Sequence, residues 1–529
     1  MSNLLEKASI ITTPTAYSEG FIHTVKPEEA LGSELVTNGD FATNTDWLFG
    51  SGSSISGGSL NIISAPYNAT TKQALSLTSG KTYKIVINAI AVGSANSNTF
   101  QLGFGTTGGN PSSNTQYEFE EGASVKTLTV TASANDVTVV FRARNAVGKL
   151  SDLSITNVSV KEITDFTFTR NTTATRVNSQ GLIESVGVDL PRINYENGCG
   201  SWLLEPSSLN LITRSNEFNF WNALSSRSTV TLNSITSPDG TVNGTKLTQI
   251  AVSSSARLRF SGILTVGNEY TFSIYAKKGN HDKIILTISD INTTFTLTDE
   301  WVRYEITETA TATFVDVGIT NGVVGDFIYI YGAQAEEASH STSYIPTSGS
   351  PQSRSQDSAT NAGNSNLINS TEGVLYAEIA ALNNDLSHRR ISLSDGTLNN
   401  LVYISFDTSS NRILVNANGK VLTHTVSDET EFHKIAVLYN PIAPKLFVNG
   451  VLIDTATAMN QITALNQVRF DGGVGNNVFI GKAKCVAVFK EALTDAELIC
   501  LTTINTSRLF SQRVLFDGGI IESLECVTI

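Results

Sequence analysis

The chain has 529 residues, too many for one hydrophobic core, and ordinary domain sizes divide it into three or four. Only 16% of residues are charged, Gly is abundant at 40 and Met falls to 2, a mixture that favours short strands joined by turns and argues against a helical protein. A formal net charge of −13 with no run of Lys or Arg argues against a nucleic-acid partner. No window approaches the roughly 18 apolar residues of a membrane helix, and residues 1–20 lack the basic start and apolar centre of a secretion signal. The composition therefore predicts an all-β chain of tandem β-sandwiches, soluble and without membrane insertion.

Residues 1–32 carry Leu4, Leu5, Ile10, Ile11, Phe21, Ile22 and Val25 without a sustained period, and Pro14 and Pro27 interrupt any long helix. They are too few for a core and more apolar than a solvating tail needs, so the segment reads as an arm that orders on a partner. Residues 33–164 read as one sandwich. It opens with Asn38-Gly39-Asp40-Phe41 and Trp47, and Tyr83, Ile85, Ile87 and Ala89 then alternate with polar neighbours along a strand. It closes with Leu153 to Glu162. This plan resembles carbohydrate-binding jelly rolls. Residues 165–208 form a β-rich connector with Ser-Gln-Gly and Glu-Asn-Gly turn signals.

Residues 209–346 repeat the plan, with Asn216-Glu217-Phe218, Trp221 and the Tyr270 to Ala276 strand in the corresponding places. The interval from Trp to the Tyr-led strand is 36 residues in one copy (47 to 83) and 49 in the other (221 to 270), so loops differ and ligands need not match. A Ser, Gln and Asn-rich stretch, 347–366, reads as a linker. From 367 to 505 two hairpins announce themselves by Asn418-Gly419 and Asn449-Gly450, since Asn-Gly supplies the positive φ of a tight turn. Thr494 and Glu497 form a capping box for one helix. Together with Phe479-Ile480-Gly481 and Val486 to Phe489, this region resembles the concanavalin-like, laminin-G-type jelly roll. Residues 506–529 read as a small hairpin that needs a neighbour to pack on.

Motifs for chemistry are sparse. No His is followed by Glu, no G-x-S-x-G elbow exists, and Gly80-Lys81-Thr82 lacks the first Gly of a phosphate loop. The four cysteines, at 199, 485, 500 and 526, show no C-x-x-C pair and read as buried free thiols. Asp395-Gly396 and Asp471-Gly472-Gly473 read as turns; they lack the alternating acids of a calcium loop. No cofactor is expected, and structural calcium is not readable from the sequence. Trp47, Trp221, Tyr83 and Tyr270 occupy repeated core-like positions, which leaves Tyr67 and Tyr117, in polar surroundings, as candidate glycan platforms.

The pattern of the connector is more specific. FTR at 168–170, ATRVNSQGLIE at 174–184, PRINY at 191–195, LLEP at 203–206 and Asn210-Leu211 resemble a segment that recurs in tail, fibre and other virion proteins of bacteriophages and prophages. There it introduces a sandwich ending much like Tyr329 to Glu337, followed by Thr342-Ser343-Tyr344-Ile345-Pro346-Thr347. The resemblance implies a non-enzymatic virion structural protein, a fibre or decoration assembled in the host cytoplasm and commonly trimeric. It would dock on other virion proteins through residues 1–32 and display modules for host-surface glycans. A cell-surface adhesin and a polysaccharide depolymerase are the alternatives, the latter because paired carboxylates can be assembled from distant strands.

Overall fold

The computed structural model describes residues 4–14, 24–26, 31–77, 82–91, 99–107, 116–118, 122–133, 136–144, 151–163, 166–504, 515–516 and 519–520. Apart from single-turn segments, the one helix among them is Asp495–Thr502, and the fold is all-β. Two compact units result, one of residues 29–164 and the other of residues 1–28 with 165–529.

The first unit is a sandwich of two sheets. One runs in the order Gly122–Thr131, Thr82–Ala91, Ser151–Ile163, Ser59–Ala65, Ser53–Ser56, with Leu31–Glu34 also pairing Ser151–Ile163. The other runs Thr70–Ala74, Thr138–Ala143, Thr99–Gly105, Gln116–Glu118. Period-2 alternation sends Tyr83, Ile85, Ile87 and Ala89 inward to meet Phe100, Leu102, Phe104, Val139 and Phe141. Trp47 belongs to this core and packs its ring 5.4 Å from Phe41, while its Nε1 donates to the Asn38 carbonyl.

The second sandwich, within the larger unit, has the same strand order. One sheet is Val302–Thr309, Glu269–Lys278, Phe327–Glu336, Val242–Gln249, Ser228–Thr236. The other is Ser255–Ser261, Phe314–Thr320, Lys283–Ile288, Ile291–Thr296, with Asn222–Ala223 added at one edge. Trp221 again sits in the core, beside Phe218, and its Nε1 donates to a backbone carbonyl, that of Arg214. Gly332 has φ 63 where the central strand bulges, and a Cβ there would lie 3.3 Å from the rings of Tyr275 and Tyr344.

The C-terminal sandwich pairs a five-stranded sheet with a larger one. The five strands are Lys420–Thr425, Arg412–Ala417, Leu401–Phe406, Arg389–Ser394 and Gln467–Arg469. Asn418-Gly419 and Asn449-Gly450 have positive φ at both positions and close the two hairpins. The capping box forms too: Thr494 Oγ1 accepts from Glu497 N–H, and the Glu497 carboxylate accepts from Thr494 N–H.

The larger sheet corrects the expected domain plan in three places. Its backbone is Gly373–Ala381, His433–Tyr439, Lys445–Val448 and Val451–Thr455 on one side of Gly481–Phe489. Along the other side of that strand lie two segments end to end. Cys199–Leu204 pairs through Trp202 with Ala483, and Ala8–Thr12 pairs through Ile11 with Ala487. Residues 4–14 are therefore not an arm awaiting a partner. Ile10 enters one core of this domain, and Leu4, Ala8 and Ile11 enter the other, beneath the helix. The reason is geometric: a strand buried on both faces needs no alternation, which is why the segment lacked a legible period. Thr24–Lys26 pairs with the same N-terminal strand.

The connector is likewise part of the domain, since Phe166, Phe168, Ile193, Trp202 and Leu204 lie in its main core. The stretch 347–366 is not a linker. Gln352–Arg354 pairs with Ser208–Asn210, and Ser358–Thr360 pairs with Thr167–Thr169. Of the expected C-terminal hairpin, Leu515–Phe516 pairs with Gly519–Ile520, and the rest lies outside the described residues. Cys485 is buried and free as expected; Cys500 is exposed, and Cys199 is disulfide-bonded rather than free. Cys526 lies outside the described residues.

Connector and supposed linker meet in a buried ion cluster. Asp357 accepts from Arg170 Nη1 at 3.0 Å and also from Arg192 Nη2, while Arg192 Nη1 reaches Glu205 Oε2 at 2.6 Å. Arg354 Nη1 lies 2.8 Å from the same Glu205 oxygen, and Ser343 donates to Glu205 through both N–H and hydroxyl. Backbone bonds Glu205 N–H to Asp357 Oδ2 and Asp357 N–H to Glu205 O complete it. Burial alone would raise the Glu205 pKa, but Arg354, Arg192 and Ser343 outweigh it and hold the carboxyl far below its usual range.

Asp357→Asn should lower the unfolding free energy by about 3–5 kcal/mol, because it strands Arg170 and Arg192 without their shared anion. Urea unfolding measures this, and an unchanged midpoint would contradict the cluster's role. Because the folded pKa of Glu205 is depressed, its contribution is present above the ordinary value of 4.5 and is lost only as pH falls through the lower folded value. Deleting residues 1–14 should cost at least about 3 kcal/mol, since Ile10 and Ile11 are fully buried and worth about 1.5–3 kcal/mol each. Loss of the C-terminal sandwich's cooperative thermal transition, with the first sandwich intact, is the signature.

Candidate functional site

The outer face of the second sandwich's five-stranded sheet carries a row of polar side chains. The register aligns Asn222, Arg259, Asp316, Thr287 and Asn292 across all five strands. Alternation explains the row: in Ala256-Arg257-Leu258-Arg259 and Val315-Asp316-Val317 the apolar residues turn to the core and their neighbours turn outward. Asp316 is fully buried yet bound in a fork, Arg259 Nε to Oδ1 at 2.7 Å and Nη2 to Oδ2 at 2.9 Å. The Arg259 guanidinium lies 3.3 Å from the centroid of the Phe314 ring. Hydrogen bonding to Asp316 raises the Arg259 pKa above its ordinary value, so the group stays charged.

Arg257 stands one pair along. It donates to Thr287 Oγ1 at 3.1 Å and Asn292 Oδ1 at 2.7 Å, and Thr287 donates to the same Asn292 oxygen at 2.8 Å. Gly318 is the residue between Arg257 and Ile285 in the register; a Cβ there would lie 2.4 Å from the Ala256 carbonyl. The result is a floor without a side chain, flanked by half-buried guanidinium groups whose Arg257 Nη2 and Arg259 Nη1 face no acceptor among the described residues. Such a face offers fixed donors and a carboxylate-bound cation to a polyhydroxylated ligand.

In the first sandwich Tyr67 is 41% exposed, and the Arg144 guanidinium lies 4.9 Å from its ring centroid while donating to Asn68 Oδ1 at 2.7 Å. This rim is fastened to the end of Thr138–Ala143 by the bonds Asn68 N–H to Ala143 O and Ala143 N–H to Ala69 O. Tyr117 stands opposite Phe100, a core residue, at a register position two strands from Ala143; its side chain lies outside what the structure describes. Trp47, Trp221, Tyr83 and Tyr270 are all core residues.

Both Asp-Gly turns form as turns, held by nearby side chains and backbone. Asp395 Oδ1 accepts from the Thr397 N–H and hydroxyl, and Asp471 is held by Arg469 and the Gly473 N–H. Among the described residues no group of three or more His, Cys, Asp or Glu is placed to hold a metal ion, and no helix is long and apolar enough to cross a membrane.

The chain matches no protein-family model. It matches no curated protein sequence either. Among solved structures it is similar to the CBM40 of the Ruminococcus gnavus IT-sialidase bound to alpha2,3 sialyllactose, at 18% identity and TM-score 0.22, over 25% of this chain and 84% of that one. A second is the N-terminal CBM22-1-CBM22-2 tandem domain of Xyn10C from Paenibacillus barcinonensis, at 10% identity and TM-score 0.23, over 58% and 98%. A third is domains LG4-5 of the mouse laminin alpha1 chain, at 8% identity and TM-score 0.16, over 45% and 88%. The sandwich architecture of this chain stands on its own strand pairings.

Arg259→Ala should destabilise the second sandwich by about 1.5–3 kcal/mol, because it strips the buried Asp316 of its fork and leaves only Arg257 Nη1, 3.8 Å away. Arg257→Ala, which removes hydrogen bonds to neutral groups and only a longer 3.8 Å contact with Asp316 Oδ2, should cost about 0.5–1.5 kcal/mol. Denaturant unfolding of the two variants compares them directly; equal losses would mean the fork is not what holds the face.

Proposed function

We propose that this chain is a non-enzymatic glycan-binding display protein, a fibre or decoration of a bacteriophage virion in which tandem sandwiches present polar sheet faces to host-surface polysaccharide. The observation that carries the glycan reading is the row Arg259, Asp316, Thr287 and Asn292 beside Arg257 on an outward sheet face. Its donors are held in place by neighbours before any ligand arrives, so little ordering cost opposes binding. Sugar hydroxyls match that arrangement of charged and neutral hydrogen-bonding groups.

The virion reading is supported by the connector motifs, FTR, PRINY, LLEP and the later TSYIPT, which resemble those of phage virion proteins. Within it the chain acts as a homotrimer, and attachment falls to surfaces other than residues 4–14, since that segment is built into the chain's own sheet.

The test is an array of bacterial surface oligosaccharides probed with the full chain. Binding to at least one is expected, with competition by the free sugar and a loss of about ten-fold in Arg257→Ala, the equivalent of one charge-assisted hydrogen bond. Absence of any signal would remove the glycan role and leave the sandwiches as spacers. Mass spectrometry of purified particles from the producing strain is expected to find the chain.

A further inference from the structure

The outer face of the C-terminal five-stranded sheet holds arginines of two kinds. Arg412 is forked onto Asp407, with Nη2 to Oδ2 at 2.7 Å, and Arg469 onto Asp471, also at 2.7 Å. Arg390, on the adjoining strand, has neither an ion pair nor a side-chain hydrogen bond among the described residues. Its guanidinium lies 4.3 Å from the centroid of the Tyr403 ring, and its Nε is buried without an acceptor. Two residues along the same strand and on the same face stands Ser392. It is 0% exposed, its Oγ has no partner, and the register places it between Tyr403 and Arg469.

Buried donors without partners are rare in folded proteins because each costs stability. Here a cation without a counter-ion and a hydroxyl without a partner share one patch. The next strand adds Asn416, registered with Tyr403, whose Oδ1 is taken by the Gly419 N–H at 2.8 Å, leaving its Nδ2 for a ligand. The loop from Asp471 walls one side: Arg390 N–H bonds Asn477 O at 3.0 Å, and the space a Cβ on Gly472 would occupy is 3.4 Å from Arg390 Nη1.

We infer that this face is a second saccharide site, distinct from the one on the second sandwich, and that it takes the carboxylate of an acidic sugar. The planar guanidinium matches a carboxylate fork to fork, and stacking on Tyr403 holds its plane before the ligand arrives. Ser392 Oγ and Asn416 Nδ2 complete the set with hydrogen bonds to the acid or an adjacent hydroxyl. The inference rests on the glycan reading for the ligand being a sugar, and on Arg390 for its being acidic.

Calorimetric titration of the full chain with galacturonate, glucuronate and sialyl oligosaccharides, each paired with its carboxyl-reduced form, tests this. At least one acid form should bind about ten-fold or more tightly than its reduced partner, as expected for one charged fork. Arg390→Gln should abolish that preference, and Ser392→Ala, which removes a hydroxyl alone, should weaken acid binding less. Equal binding of acid and reduced forms, binding of neither, or an unchanged preference in a folded Arg390→Gln overturns the inference. A preference that survives Arg390→Gln and vanishes in Arg257→Ala would assign it to the second sandwich, overturning this site while keeping the glycan reading.

Discussion

Three arginines and two carboxylates, withdrawn from water where the connector meets the stretch after the second sandwich, hold the larger unit together. Each charge costs several kcal/mol to desolvate, and the cluster persists only because its members satisfy one another: Asp357 between Arg170 and Arg192, Glu205 between Arg192 and Arg354. Its geometry specifies which segments meet. Replacing any one member by an apolar residue leaves partners stranded, so segments far apart in sequence must arrive together. The motifs that made the connector distinctive supply these atoms: FTR gives Arg170, PRINY gives Arg192, LLEP gives Glu205 and TSYIPT gives Ser343. Thr175 and Asn210 extend the join by donating to the Tyr344 and Ile345 carbonyls.

The same economy of charge shapes the candidate sites. On the second sandwich Asp316 is forked onto Arg259, and Arg257, 3.8 Å from it, places its hydrogen bonds on neutral groups. On the C-terminal sandwich Asp407 and Asp471 are spent on Arg412 and Arg469, and Arg390 is left over. In a chain of net charge −13, an uncompensated cation on a sheet face is a local exception. Local charge, not overall charge, governs which ligands such a face selects.

What the sequence discloses depends on how far apart the cooperating residues lie. The Asn-Gly hairpins and the Thr494 capping box need only neighbours within a few positions, and both form as read. The repeat was visible because both copies keep Trp and a Tyr-led strand, and their strand orders coincide. The fork between Arg259 and Asp316 spans 57 positions, and the ion cluster spans 187 from Arg170 to Asp357. Single-sequence alternation shows such residues only as outward polar positions. The Ser and Gln-rich composition of 347–366 pointed to a linker for the same reason: Arg354 and Asp357 look solvated until their distant partners are known. Tyr67 was legible as exposed.

The pairing of Ala8–Thr12 with Gly481–Phe489 has a consequence for biosynthesis. Ser9 donates its hydroxyl to the Val488 carbonyl, 479 positions away, so nearly the whole chain must leave the ribosome before that sheet can close. At about 5–20 residues per second the first strand waits roughly 25–95 s for its partner. During that interval the unit of residues 29–164, complete in itself, can fold downstream of an unpaired apolar strand. The newborn chain thus carries an unpaired apolar strand for much of its synthesis. Chaperone demand should be set by that strand rather than by the slow β-topology of any one sandwich.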